Sequence, residues 1–152
     1  MQAILFTGLQ ASGKSSFYKQ YFFNSHVRIS LDLLRTRKRE SKFLQLCLQT
    51  NTRFVVDNTN PTIEERRKYL ALAKEHRYEV IGYFFQTSLA EALARNSERE
   101  GKERIKDIGL YDCHKKLTAP SFDEGFDRLF TVQLHNNGFI VEELIRELPE
   151  EQ

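Results

Sequence analysis

Several stretches of this 152-residue chain combine residue types and spacings suited to phosphate chemistry. The run Gly8-Leu9-Gln10-Ala11-Ser12-Gly13-Lys14-Ser15 satisfies G-x-x-x-x-G-K-[ST], a pattern whose backbone N–H groups wrap phosphate oxygens while its lysine reaches the terminal phosphates. Gly8, Ser12, Gly13, Lys14, Ser15 and Ser16 are therefore candidate contacts to ATP or another nucleoside triphosphate, with the Ser15 hydroxyl as a ligand for Mg²⁺. Two aspartates follow apolar runs, Asp32 in HVRISLDLLR and Asp57 in RFVVDNTNPT. A carboxylate beside the terminal phosphate can accept the proton of an attacking hydroxyl, the role assigned to Asp32. One that closes an apolar strand can hold Mg²⁺, usually through water, the role assigned to Asp57. Arg35, one turn past Asp32, is placed to hold a neighbouring anion. The plainer uses of the same carboxylates are an N-cap for Asp32 and a structural turn for Asp57. The last stretch, ALARNSERE, puts Arg95 and Arg99 four apart and so on one helix face. Guanidinium groups there can spread over transferring phosphates; the alternative is a solvated helix with salt bridges to Glu91, Glu98 or Glu103.

Such groups converge only if the fold gathers them. Apolar runs rich in β-branched and aromatic residues recur at 3–7, 26–30, 53–56, 78–85 and 129–134, each of strand length. Between them lie helix-like stretches: KSSFYKQYFF, LDLLRTRKRESKFLQLCLQ, PTIEERRKYLALAKEH, SLAEALARNSEREG and a basic segment from about Glu103 to Leu117. This alternation predicts an α/β fold with a parallel sheet and helices on both faces, because parallel strands need long crossovers. All strands of such a sheet end at one edge, where ligands collect, so the loop at 8–15 and both aspartates should face one site. Pro61 and Thr62 ahead of Glu64 and Glu65 predict a helix start, and Thr87 and Ser88 predict caps. LTAPSFDEGFD reads as a loop, NNG at 136–138 as a turn, and the closing FIVEELIREL has helical spacing. Tyr21 and Phe22 are expected in the core, with base stacking as their alternative use.

Bulk composition narrows the class. The length fits one domain, 1–152. With 29% charged and 40% hydrophobic residues the balance is that of a globular protein. A net charge of +2 does not by itself demand a nucleic-acid partner. Cys47 and Cys113 form no CxxC pair, which suits reduced thiols. No apolar run approaches a membrane span and the N-terminus has no leader pattern, so no membrane association and a cytoplasmic location are expected. The four histidines lack metal-ligand spacing, and no transition metal is assigned.

Taken in series, GLQASGKSS, ISLDLLR, VVDNTNPTIEERR and ARNSERE resemble the kinase domain of polynucleotide 5′-hydroxyl kinases of the end-healing type, over about residues 2–120. The resemblance implies a three-layer P-loop NTPase fold of adenylate-kinase-like type, with a parallel sheet under a helical lid at about 95–120. It implies transfer of a γ-phosphate to a 5′-OH end of DNA or RNA. Lys14 and Ser15 would contact phosphate and Mg²⁺, Asp32 would be the general base, and Arg35 would meet the acceptor's phosphate. Arg95 and Arg99 would be lid arginines, and Asp57 would support. Family members are often fused to a phosphatase or a ligase, so a separate one is an expected companion; oligomeric state is left open. The run RTRKRESK is a departure, being basic where the family is acidic and polar. The competing readings of the residues are a P-loop kinase acting on a sugar, nucleoside or antibiotic hydroxyl, and a nucleotide-dependent switch without catalysis. The first gives Arg35 no phosphate to hold; the second does not need Asp32.

Overall fold

Each of the five apolar runs forms a strand in the computed structural model, which describes residues 1–147. They are β1 (Gln2–Thr7), β2 (Val27–Ile29), β3 (Phe54–Val56), β4 (Glu79–Phe85) and β5 (Arg128–His135). A sixth, β6 (Gly138–Glu143), makes the sheet order β2-β3-β1-β4-β5-β6. The first five strands pair in parallel and β6 pairs antiparallel with β5. The fold is the expected P-loop α/β type. β1 lies at the centre, buried on both faces, so the loop that leaves it starts from the middle of the sheet.

Crossovers are α1 (Lys14–Tyr21), α2 (Leu31–Leu34), α3 (Arg37–Gln49), α4 (Ile63–Glu75), α5 (Leu89–Glu98) and α6 (Asp107–Lys116). Their starts follow the capping chemistry of the sequence. Thr62 and Ser88 accept the Glu65 and Glu91 amides, satisfying orphan donors of the first turn of α4 and α5. One sheet face packs Phe6, Phe17, Phe22 and Phe85 in edge-to-face contacts; the other packs Leu44, Leu48, Tyr69 and Leu70 against Val56 and Val80. Phe22 is core as expected, whereas Tyr21 is 50% exposed and leans on Phe17 and Phe139. Among the described residues no helix is long and apolar enough to cross a membrane.

Two expectations are corrected. The single helix over LDLLRTRKRESKFLQLCLQ is two, because Arg35 takes φ 78° and ψ −41° and the Thr36 amide bonds back to the Leu34 carbonyl at 3.0 Å. That is a γ-turn with positive φ, a strained conformation for a non-glycine residue. Thr36 then caps α3 by accepting the Arg39 amide. The closing helix over FIVEELIREL is strand β6 instead, and its last residue, Leu148, lies outside the described residues. Asn136 and Asn137 both have positive φ, the backbone of a two-residue hairpin turn, and the hairpin register overrides the helical spacing.

Candidate active site

The phosphate loop is built from the exit of β1. Ala11 and Gly13 adopt positive φ (62° and 94°), so the chain curls and the Lys14 end of α1 opens onto the concavity. A side chain on Gly13 would strain this backbone and bring its Cβ to 3.0 Å from Leu134 Cδ1 and 3.2 Å from Phe139 Cε1, so the β5–β6 hairpin supports the loop from behind. At Gly8 the constraint is packing, since a Cβ there would sit 2.7 Å from the Phe85 Cβ.

Lys14 Nζ donates to the carbonyls of Gly8 (3.0 Å) and Leu9 (2.6 Å) and lies 3.4 Å from Ser12 Oγ. Burial lowers its pKa from 10.5 to about 8. Asp57, Cys113 and Asp32 pull the other way, and Arg99 pushes it further down. Charged side chains from the exit of β3, the α5 terminus and α2 are thus close enough to act on one ammonium group.

The run Asp57-Asn58-Thr59-Asn60 wires that edge together. Asp57, 5% exposed, accepts the Ser15 hydroxyl at 3.1 Å and the Arg28 Nε at 2.8 Å. Asn58 Oδ1 accepts the Leu31 amide at 2.9 Å, while its Nδ2 donates to Glu40 at 2.8 Å. The Thr59 carbonyl accepts the Gly8 amide at 3.0 Å, and Asn60 Nδ2 donates to the Phe6 carbonyl at 2.8 Å. Glu40, buried in α3, also accepts from Tyr69 at 2.6 Å and from Arg37 at 3.3 Å. Burial and the Glu40 hydrogen bond push the Tyr69 phenol well above its usual range, so it remains a donor.

Asp32 and Arg35 stand on α2 and its terminus, both exposed. Among the described residues neither has a hydrogen-bond or ion-pair partner; both face solvent, and the Asp32 carboxylate is near enough to act on the Lys14 charge. Asp32 is not an N-cap, since Ser30 holds that position in α2, and the Asp57 side chain bonds Ser15 and Arg28.

α5 and α6 lie over the loop through a small core of Leu9, Ala92, Leu110 and Cys113. Asn96 staples their connection, donating to the Ile105 carbonyl at 2.7 Å and accepting its amide at 3.0 Å. Arg95 reaches the Ala11 carbonyl at 3.4 Å and so lies on the phosphate loop. Arg99 differs from expectation. The helix ends at Glu98 and Arg99 is its extended C-cap, bonded to the Glu103 carbonyl at 3.4 Å, so the two arginines do not share a helix face. Its charge still reaches Lys14. Ser16 is exposed on the first turn of α1.

Sequence reasoning missed Arg28, Asn58 and Glu40. Nothing in HVRIS distinguishes Arg28 from a surface strand residue; Glu40 follows the helix-capping Thr36, a signal for where α3 begins but not for what Glu40 holds. Conversely, Arg66 of the EERR run has a structural use. It is fully buried and paired with both oxygens of Glu124, at 2.7 and 3.1 Å, and with the carbonyls of Asn60 and Thr118.

A family model described as an AAA domain matches residues 35–110, half of the chain; the phosphate loop lies ahead of the matched stretch. A protein of Acanthamoeba polyphaga mimivirus that carries the name bifunctional polynucleotide phosphatase/kinase is 30% identical over 141 residues, covering 88% of this chain and 34% of that protein. The bifunctional polynucleotide phosphatase/kinase of Schizosaccharomyces pombe is 27% identical over 131 residues, covering 82% of this chain and 32% of its own. The chain thus spans about a third of the length of these relatives. Among solved structures, Chaetomium thermophilum Kti12 in complex with ADP-AlF3 superposes with a TM-score of 0.69 at 15% identity, covering 86% of this chain and 88% of that one.

Proposed function

The chain belongs to the AAA domain family, and from that premise we propose that it transfers the γ-phosphate of ATP, or another nucleoside triphosphate, to the 5′-hydroxyl of a DNA or RNA end. The observation that carries this reading is the pairing of Asp32 and Arg35. A carboxylate with no partner among the described residues stands within electrostatic reach of the phosphate-loop lysine, and a free guanidinium stands three residues further on. The likeness to proteins named polynucleotide phosphatase/kinase supplies the acceptor class.

In this reading Lys14 leaves the Gly8 and Leu9 carbonyls for the terminal phosphates, whose charge restores the proton affinity that burial removes. Gly8, Ser12, Gly13 and Ser16 complete the cradle, and Arg95 and Arg99 cover the transferring group as a lid spanning about 95–120 of a single domain, 1–152. Ser15 and Asp57 offer a hydroxyl and a carboxylate oxygen 3.1 Å apart, and a guanidinium already rests on both; hard oxygen donors with a cation between them suit Mg²⁺. Bound there, Mg²⁺ would neutralise phosphate charge. Asp32 takes the proton from the 5′-hydroxyl as its oxygen attacks phosphorus, and Arg35 holds the acceptor's nearest phosphate. The protein works away from membranes, in the cytoplasm, together with a phosphatase or ligase activity that prepares or joins the ends.

Labelled γ-phosphate offered with a 5′-OH oligonucleotide and, separately, with small polyols and nucleosides tests the assignment. Labelling of the oligonucleotide is the expected outcome. Transfer only to a small alcohol would replace it with a small-molecule kinase. Nucleotide binding with no transfer to any alcohol would leave a switch.

A further inference from the structure

Arg28 leaves the edge strand β2, crosses the end of β3 and sets its guanidinium on both groups assigned to the metal. Its Nε donates to Asp57 Oδ2 at 2.8 Å and one terminal nitrogen donates to Ser15 Oγ at 3.0 Å, while Ser15 itself donates to the same Asp57 oxygen at 3.1 Å. The three groups close a triangle in which Ser15 Oγ presents its lone pair to an N–H. A hydroxyl oxygen ligating a metal must present that same lone pair to the cation, so Arg28 and the metal compete for one electron pair. The carboxylate needs a counter-charge: its side chain is 2% exposed, whereas that of Arg28 is 26% exposed and has water to move into. Arg28 also acts on the Tyr18 phenol, which burial pushes up and Arg28 pulls down.

We propose that Arg28 is the resting counter-ion of the metal site and makes metal binding conditional on nucleotide. With the phosphates absent, one guanidinium neutralises Asp57 and blocks Ser15, and a free divalent ion finds the site already balanced. When a triphosphate enters, its negative charge restores the attraction for a divalent ion, Arg28 yields Ser15, and the metal arrives with the nucleotide. This rests on the assignment of Ser15 and Asp57 to a metal.

The test titrates Mn²⁺ against the nucleotide-free chain by electron paramagnetic resonance, for the native protein, Arg28→Ala and Arg28→Lys, with ATP affinity measured in EDTA and in excess Mg²⁺. Arg28→Ala should bind free Mn²⁺ roughly tenfold or more tightly than native, since a positive charge a few ångströms from the ion is removed. Arg28→Lys should stay near native, and adding Asp57→Asn to Arg28→Ala should abolish the gain. Unchanged Mn²⁺ affinity in an Arg28→Ala chain that binds ATP as native does would overturn the inference and leave the proposed reaction standing. Failure of the native chain to bind ATP under any condition would instead sink the reaction.

Discussion

Asn58 accepts the backbone amide of Leu31 at 2.9 Å, so the exit of β3 fixes the first turn of the helix that carries Asp32. A four-residue helix cannot hold its own orientation, having almost no internal hydrogen bonds. Its aim is borrowed from Asn58, and through Asn58 from Glu40, Tyr69 and Arg37.

Replacing Asn58 with Ala should therefore lower turnover by about 10- to 100-fold, since small misplacements of a reacting group cost that much. Nucleotide affinity should stay within about twofold, because the loop amides and Lys14 are untouched. Steady-state kinetics with separate nucleotide-binding measurements would distinguish this from a general loss of folding. Equal loss of both would remove Asn58 from the positioning role.

Asp32→Asn keeps the shape and removes the base. Turnover should fall by about 10²- to 10⁴-fold with no change in thermal midpoint, as the carboxylate has no folded-state partner to lose among the described residues. Near-native turnover would show that another group takes the proton.

Arg35 sits in a backbone conformation that costs about 1–3 kcal/mol for a residue with a Cβ. Arg35→Gly should thus be more stable than Arg35→Ala, by about 1 kcal/mol in a denaturant titration. Both variants should raise KM for the oligonucleotide while leaving KM for ATP unaltered. Stability of Arg35→Gly above native, together with a lost acceptor grip, is the signature of strain retained for function.

Lys14 links binding to pH. Its pKa of about 8 in the free chain rises when phosphate oxygens replace the carbonyls, so nucleotide uptake above pH 8 draws a proton from solution. Affinity should be level below about 8 and weaken by up to tenfold per pH unit above it. Free-chain stability should move in the opposite sense. The folded pKa lies below the unfolded value of 10.5, so the unfolded state holds the extra proton between the two and stability gains as pH rises through that window. Calorimetry in buffers of different ionisation enthalpy would read the proton uptake directly, and Lys14→Met should abolish it.

Much of this was legible in the linear sequence because the relevant signals are local. A phosphate loop is eight consecutive residues, and short β-branched runs bounded by polar turns leave little choice but strands. The misreadings came where a local signal was absent or outvoted. Nothing about an arginine announces positive φ, so the break at Arg35 was hidden, although Thr36 is a residue type that starts helices. In FIVEELIREL the helical spacing was real, but the preceding Asn-Asn-Gly turn places the segment beside β5, and pairing with a neighbouring strand outweighs its own periodicity. Arg28, Asn58 and Glu40 were unreadable for a different reason: the bonds Arg28–Asp57, Asn58–Leu31 and Asn58–Glu40 span 18 to 29 positions, and only the finished sheet brings them together.

The hairpin formed by β5 and β6 carries none of the residues assigned to chemistry, yet Leu134 and Phe139 stand directly behind Gly13 of the cradle. Chain shortening is therefore a more damaging experiment than a map of reactive groups suggests. A truncated version ending near residue 133 would retain Lys14, Ser15, Asp32, Asp57 and both lid arginines, and would still lose the buttress that keeps the nucleotide cradle curled.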